Sequence, residues 1–352
     1  MTSTLRKVVA TSAALSAVLA VTAGCVESGR EDTGAAASCP FAADPSVTST
    51  VRLGYQAIPN ADLLVKDRNL LGACLPNAKI TWSQFASGAD VVQAFGAGSL
   101  DIGTLGSSPA TKALSAPLNL PVQVVWIHDV IGTSESLVVR DKSITALSGL
   151  VGKKVATPFG STSHYSLLAA LDKAGLTDKV DLINLAPDAI PGAWQGNQID
   201  AAWVWDPTLS KLTEAGGTVL TSSAETAAAG APTYDVAIAD KKFLADNAAF
   251  ATAWAKAQDY AIGQLKNQPK EAAVSLGAQL GIAPDKVVPQ LAGYVYLSAA
   301  EQAGAKYLGG GFADDLTGTA RFLLSQGGIA AVGTEQQYRD GISATAAAGA
   351  GS

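Results

Sequence analysis

Short apolar runs alternate with stretches of helical spacing along most of the chain. The runs at 51–55, 79–82, 101–105 and 122–128 read as strands, and the segments 60–71, 89–97 and 109–115 between them read as helices. The pattern restarts with strands at 136–140, 154–157, 180–184, 201–205 and 217–220, separated by helices at 163–174, 190–196 and 207–215. A strand at 234–239 follows, and then helices at 241–267, 270–280, 284–291, 299–306 and 314–326. Alternation at this length predicts parallel βαβ units and an α/β fold. Two such blocks followed by a helical return predict two lobes joined by two crossing segments, near 133–137 and 232–236. A ligand would sit in the cleft between them, at the C-terminal ends of strands.

The ends of the chain read differently. Arg6 and Lys7, an apolar run from Val8 to Val21 and the small residues Thr22, Ala23 and Gly24 before Cys25 describe a secretory leader rather than a fold element. The Ala-Gly-Cys ending resembles the lipobox of bacterial lipoproteins, although Thr22 replaces the usual aliphatic residue. Cys25 is therefore the expected lipidation site, the alternative being an ordinary leader cut nearby. The expected organisation is a signal peptide over 1–24, a lipidated cysteine and flexible tether over 25–47, lobe 1 over 48–134 plus 236–343, lobe 2 over 135–235, and a disordered Ala/Gly/Ser tail over 344–352.

Composition narrows the class. Of 352 residues 48% are hydrophobic, yet beyond residue 25 no run approaches the roughly 18–20 apolar residues that span a bilayer. The formal net charge is −6, and loss of Arg6 and Lys7 with the leader takes it to −8, which argues against nucleic acid as a partner. Cys39 and Cys74 remain, and outside the cytoplasm such a pair is expected to be bridged, with two separately buried thiols as the alternative. Two cysteines and two distant histidines give no metal-ligand spacing, and no cofactor motif is present.

Small polar residues mark the candidate site. Ser87 follows the 79–82 strand, Ser107 and Ser108 precede Pro109 after the 101–105 strand, and Thr162, Ser163 and His164 open the helix after the 154–157 strand. Serine or threonine at a helix start places hydroxyls and free N–H groups at a positive helix end, where an anion is favoured. A single such loop is ordinarily only a cap; three facing one cleft carry more weight. Glu135 at the first crossing and Asp235 at the second, with Trp203 and Trp205 nearby, could hold an ammonium through charge-assisted hydrogen bonds and cation–π contact. Surface pairing, strand capping and core packing are the competing structural roles.

The runs WSQFASGADVVQAF at 82–95, DIGTLGSSP at 101–109, SESLVV at 134–139, GKKVATPFGSTSHYSLLAAL at 152–171, IPGAWQGNQIDAAWVW at 190–205 and APTYDV at 231–236 resemble the taurine-binding proteins of bacterial ABC importers. The resemblance spans about residues 50–340. It implies a type II periplasmic-binding-protein fold, a monomer at the extracytoplasmic face of the membrane, and delivery of taurine or a related small sulfonate to an ABC permease and its ATPase. It also implies an amine role for Glu135 and Asp235 and a sulfonate role for Ser107, Ser108, Thr162 and Ser163, with His164 and Gln56 beside them. Asp206 after Trp205, and Tyr234 and Ala237 around Asp235, depart from the family pattern and open the ligand's identity. An alkanesulfonate, a betaine-like zwitterion or an aminophosphonate is the alternative within the same class. An enzyme on the same scaffold is disfavoured, since no Gly-x-Ser-x-Gly elbow, P-loop or His-Glu-x-x-His is present.

Overall fold

A computed structural model describes residues 38–351, so the expected leader and Cys25 lie outside the described residues. Eleven strands are formed among these residues: β1 (Thr50–Gln56), β2 (Lys79–Phe85), β3 (Ile102–Gly106), β4 (Val122–Ile131), β5 (Glu135–Val139), β6 (Lys154–Thr157), β7 (Asp181–Asn184), β8 (Ala201–Trp205), β9 (Thr218–Ser222), β10 (Tyr234–Asp240) and β11 (Tyr294–Val295). They make a six-stranded sheet in the order β11-β4-β10-β3-β1-β2 and a five-stranded sheet in the order β7-β6-β8-β5-β9. The chain changes sheet between Ile131 and Glu135, and returns between Ser222 and Tyr234.

Both sheets are mixed rather than wholly parallel. Pairings β1–β2, β1–β3, β6–β7 and β6–β8 are parallel, as βαβ units require. Strand β10 runs antiparallel between β3 and β4, and β5 antiparallel between β8 and β9. β5 follows β4 after only three residues, and β10 follows β9 through the short helix Ser223–Ala228; each enters its sheet from the other lobe rather than by a crossover within its own sheet. All five residues of β3 and of β8 are buried, which explains their unbroken small and apolar composition.

Helices cover both sheets. The long helix Ala248–Asn267 packs Trp254 edge-on against Trp126 of β4, with ring centroids 5.9 Å apart, at the centre of the first lobe's core. Two expected helices are interrupted. Asn69 adopts a left-handed conformation (φ 47°) that breaks 60–71 into Ala61–Asp67 and Leu70–Cys74, and Asn247 separates Lys241–Asp246 from Ala248–Asn267. Cys39 and Cys74 form a disulfide with Cα atoms 4.8 Å apart. It closes a 35-residue separation, worth roughly 3–4 kcal/mol in the chain-entropy model.

The tail corrects an expectation. Residues 344–352 were expected to be disordered, but Thr345–Ala350 is a helix packed on Ala248–Asn267, with Ala346 and Ala347 buried. Alanine is the best helix former, and small side chains let the two backbones approach. The segment is also tied to the sheet: Ser343 N–H donates to Val124 O at 2.9 Å, and Val124 N–H to Gly341 O at 2.8 Å.

Candidate functional site

Six strand ends and one helix start converge between the two sheets. Gln56 closes β1, Gly106 closes β3, Ile131 closes β4 and Trp205 closes β8, while Glu135 opens β5 and Asp235 lies at the start of β10. With Thr162, at the start of the helix Thr162–Lys173, and Tyr294 of β11, they line a cavity of about 10 Å³, room for about one water molecule. The lobes meet closely around it. Tyr165 packs edge-on against Phe322 at 5.1 Å, Lys286 pairs with Glu214 at 2.6 Å, and Gln290 Nε2 donates to Ser210 Oγ at 3.3 Å.

Three carboxyl groups meet at this place, with Asp129 in the position the sequence reading gives to Asp206. Glu135 is 1% exposed, Asp235 5% and Asp129 0%. Asp129 stands directly opposite Asp235 across the β4–β10 pair, an arrangement that is destabilising when both are charged. Burial raises all three above the ordinary carboxylate range. Asp235 is pushed up to about 8 by burial and the neighbouring Glu135, and Asp129 is also raised well above the ordinary range by burial, Asp235 and Glu135. Glu135 differs, because hydroxyls oppose its burial. Thr162 Oγ1 donates to Oε2 at 2.6 Å and Ser223 Oγ to Oε1 at 2.6 Å, with Ser163 and Ser166 adding to the effect. Among the described residues no lysine or arginine pairs with any of the three. Both oxygens of Asp129 and the hydroxyl of Tyr294 are buried with no hydrogen-bond partner.

Helix ends form the other wall. Ser107–Leu114 starts immediately after β3, and Thr162–Lys173 starts opposite, capped by Ser161 Oγ accepting from His164 N–H at 3.2 Å. Ser107 Oγ accepts from Tyr234 N–H at 3.2 Å, linking this wall to the second crossing. A Cβ on Gly106 would stand 2.4 Å from Thr162 Cγ2, so only glycine lets the two helix starts come this close. Gln56 Nε2 donates to Thr104 O at 2.9 Å and braces the β1 end.

The structure thus brings together Gln56, Glu135, Thr162, Trp205 and Asp235 around the cavity, with Ser107 bonded to its rim and Ser163 beside Glu135. It places others apart. Trp203 belongs to the second lobe's core with Leu137 and Val155, because β8 carries it one step deeper than Trp205. Ser87 caps its own helix by accepting from Asp90 N–H, and Gly88 lines the cavity instead. Ser108 and His164 face a neighbouring apolar groove of about 500 Å³. There His164 stacks on Phe159 at 4.5 Å, its Nδ1 accepts from Gly160 N–H at 3.2 Å, and burial lowers it to about 4. Asp206 is held by Ser210, whose N–H and Oγ donate to its Oδ1 at 2.9 and 2.6 Å, so it caps a helix rather than offering a free charge. Asp129, Ser223 and Tyr294 were not singled out in the sequence. The one signal for Asp129 was an acidic residue within an apolar run bound for the interior. Among the described residues no group of three or more His, Cys, Asp or Glu is arranged to hold a metal ion, and no helix is long and apolar enough to cross a membrane.

Comparison with known proteins shows the family and the fold. Residues 79–272 match the family model described as NMT1/THI5 like. The chain is 39% identical over 272 residues to the taurine-binding periplasmic protein of Escherichia coli (strain K12), covering 74% of this chain and 82% of that protein. Its fold superimposes on the periplasmic aliphatic sulphonate binding protein of Escherichia coli with a TM-score of 0.68 at 24% identity, over 83% of this chain and 92% of that one. The alkanesulfonate-binding protein of Xanthomonas axonopodis pv. citri bound to MOPS gives 0.67 at 23% identity, over 85% and 99%. The chain belongs to the NMT1/THI5-like family, in the group of periplasmic binding proteins that includes the Escherichia coli taurine-binding protein, and it is a binding protein rather than an enzyme.

Proposed function

We propose that this family member captures taurine, or a short zwitterion with the same ammonium and sulfonate ends, and delivers it to an ABC importer. The carrying observation is the pairing of buried carboxyls that lack a protein cation with two helix starts across one small cavity. An ammonium supplies the missing charge partner for Glu135 and Asp235, with the Trp205 ring beside it. The sulfonate faces the N-termini of Ser107–Leu114 and Thr162–Lys173, where Ser107 and Thr162 offer hydroxyls and the helix ends offer partial positive charge.

The same features rank the alternatives. An alkanesulfonate without an amine leaves the carboxyls with no cation, a betaine has no N–H to donate, and an aminophosphonate brings a second negative charge to walls without arginine. Admission of roughly seven heavy atoms to so small a space requires the lobes to part and reclose, and reclosure excludes water from both ends of the ligand. The closed form is then what a permease recognises. Support for a place outside the cytoplasm comes from the leader-like sequence over 1–24 and the periplasmic relative, and Cys25 is the proposed lipid attachment site.

Calorimetry of the full-length protein against taurine, ethanesulfonate, glycine betaine and 2-aminoethylphosphonate tests this reading. Taurine is expected to bind submicromolar, within the roughly −10 kcal/mol that the ligand-efficiency ceiling allows a molecule of this size. Equal affinity for ethanesulfonate would remove the ammonium from the account.

A further inference from the structure

Glu135 and Asp235 line the cavity and Asp129 stands opposite Asp235 across the β4–β10 pair, more acid than one ammonium can neutralise. With all three carboxyls ionised, one ammonium would leave an excess of two negative charges in a buried space. The walls offer little relief. Glu135 faces the pair from β5, Tyr294 and Tyr296 face it from the β11 segment, and Asp206 stands beyond β8; each is an acid or a hydroxyl. His128, next to Asp129 in the chain, turns instead to Asp62 and Thr104, with Nε2 2.9 Å from Thr104 Oγ1 and 3.7 Å from Asp62 Oδ2. Tyr234 donates its hydroxyl to Asp315 at 2.6 Å. Of the three carboxyls, among the described residues, Glu135 alone has hydroxyl donors that stabilise its ionised form.

We propose that Asp129 and Asp235 act as one proton-sharing pair, neutral in the unliganded protein and singly ionised in the complex, so that the ligand's ammonium enters in exchange for one proton. In the free protein both groups are carboxylic acids, which removes the cross-strand repulsion. When the cation arrives, one O–H bond breaks, its electron pair stays on the carboxylate that faces the ammonium, and the proton leaves to solvent. The other acid keeps its proton. Because the two stand opposite each other, either can be the one that ionises. Three observations carry this: the register that sets Asp129 against Asp235, the burial of Asp129 with both oxygens lacking partners, and the partnerless Tyr294 hydroxyl on the cavity wall.

The inference rests on the cavity being an ammonium subsite, so two measurements separate the claims. Calorimetry of taurine binding in phosphate and in Tris at about pH 6.5, where the buffers' ionisation heats differ, counts the protons released; about one is expected for the wild type. Asp129→Asn and Asp235→Asn should each still release about one proton, since the remaining acid ionises, while the double variant should release none and bind about 100-fold more weakly than either. Release of none by the wild type, or loss of release in Asp235→Asn alone, would overturn the pair. Infrared difference spectra of the unliganded full-length protein should show protonated-carboxyl absorption at neutral pH that the double variant lacks. If taurine does not bind at all, the ligand reading falls and this absorption decides the pair: its presence supports the neutral pair and its absence refutes it. The substitutions are close in shape and remove buried acid, so the double variant is expected to melt no lower than the wild type.

Discussion

The two walls of the cavity solve opposite electrostatic problems, and they do so unequally. On the helix-start wall most hydroxyls are engaged within the protein: Ser161 caps His164, Ser107 accepts from Tyr234, and Thr162 donates to Glu135, while Ser163 Oγ is buried without a hydrogen-bond partner. On the carboxyl wall Asp129 has no partner for either oxygen, and Asp235 is raised to about 8. One wall is largely paired within the protein; the other, on the proposed reading, is completed by the ligand's ammonium. Shape and closure therefore reside in the helix starts, and selectivity and pH dependence reside in the carboxyls.

The sharpest way to break that division is at Glu135, the acid with two hydroxyl partners. Glu135→Gln removes its charge and disturbs the Thr162 and Ser223 bonds, and should weaken taurine by about 2–5 kcal/mol in calorimetry. A loss below tenfold would move the ammonium away from this residue.

Acidity is the next test. Because Asp235 must ionise to meet a cation, affinity should fall about tenfold per pH unit as pH drops from 8 to 6. The sign for stability is the reverse. A folded value of about 8 against the ordinary 3.8 of a free aspartate makes this carboxyl's contribution whole below about pH 4 and lost as pH rises through 8. The unliganded protein should thus lose stability over that window, and taurine should raise Tm more at pH 8 than at pH 6. A flat affinity profile contradicts the raised acid.

On the preorganised wall the effects should be smaller. Gly106→Ala sets a methyl against Thr162 and should cost about tenfold in affinity, because the two helix starts could no longer come this close. An unaltered affinity would show that the helix starts do not approach this closely. Smallest at the site, though not for the fold, is Trp203→Phe. It should leave taurine binding unchanged while lowering stability by about 1–3 kcal/mol, because Trp203 packs in the second lobe's core.

Much of the architecture was legible because strands and helices leave different periods in sequence, and because Glu135 and Asp235 fall where the chain changes sheet. Asp129 was not. The apolar run predicts a strand over 122–128, whereas β4 continues to Ile131 and carries Asp129 to Asp235. Ser223 and Tyr294 reach the site only through tertiary placement, one from a helix that was not expected and one from a two-residue strand. Trp203 and Trp205 share the alternation of β8, and periodicity cannot say which lies at the rim and which in the core. The tail failed for a related reason: low complexity suggested disorder, but small side chains suit close helix packing.

The most direct measurement is a crystal structure of the full-length protein with taurine. The ammonium should lie within hydrogen-bond distance of Glu135 and of Asp235 or Asp129, with the sulfonate against the starts of the helices at Ser107 and Thr162. Taurine in the reverse orientation, or outside the cavity between the sheets, would contradict the division between the two walls.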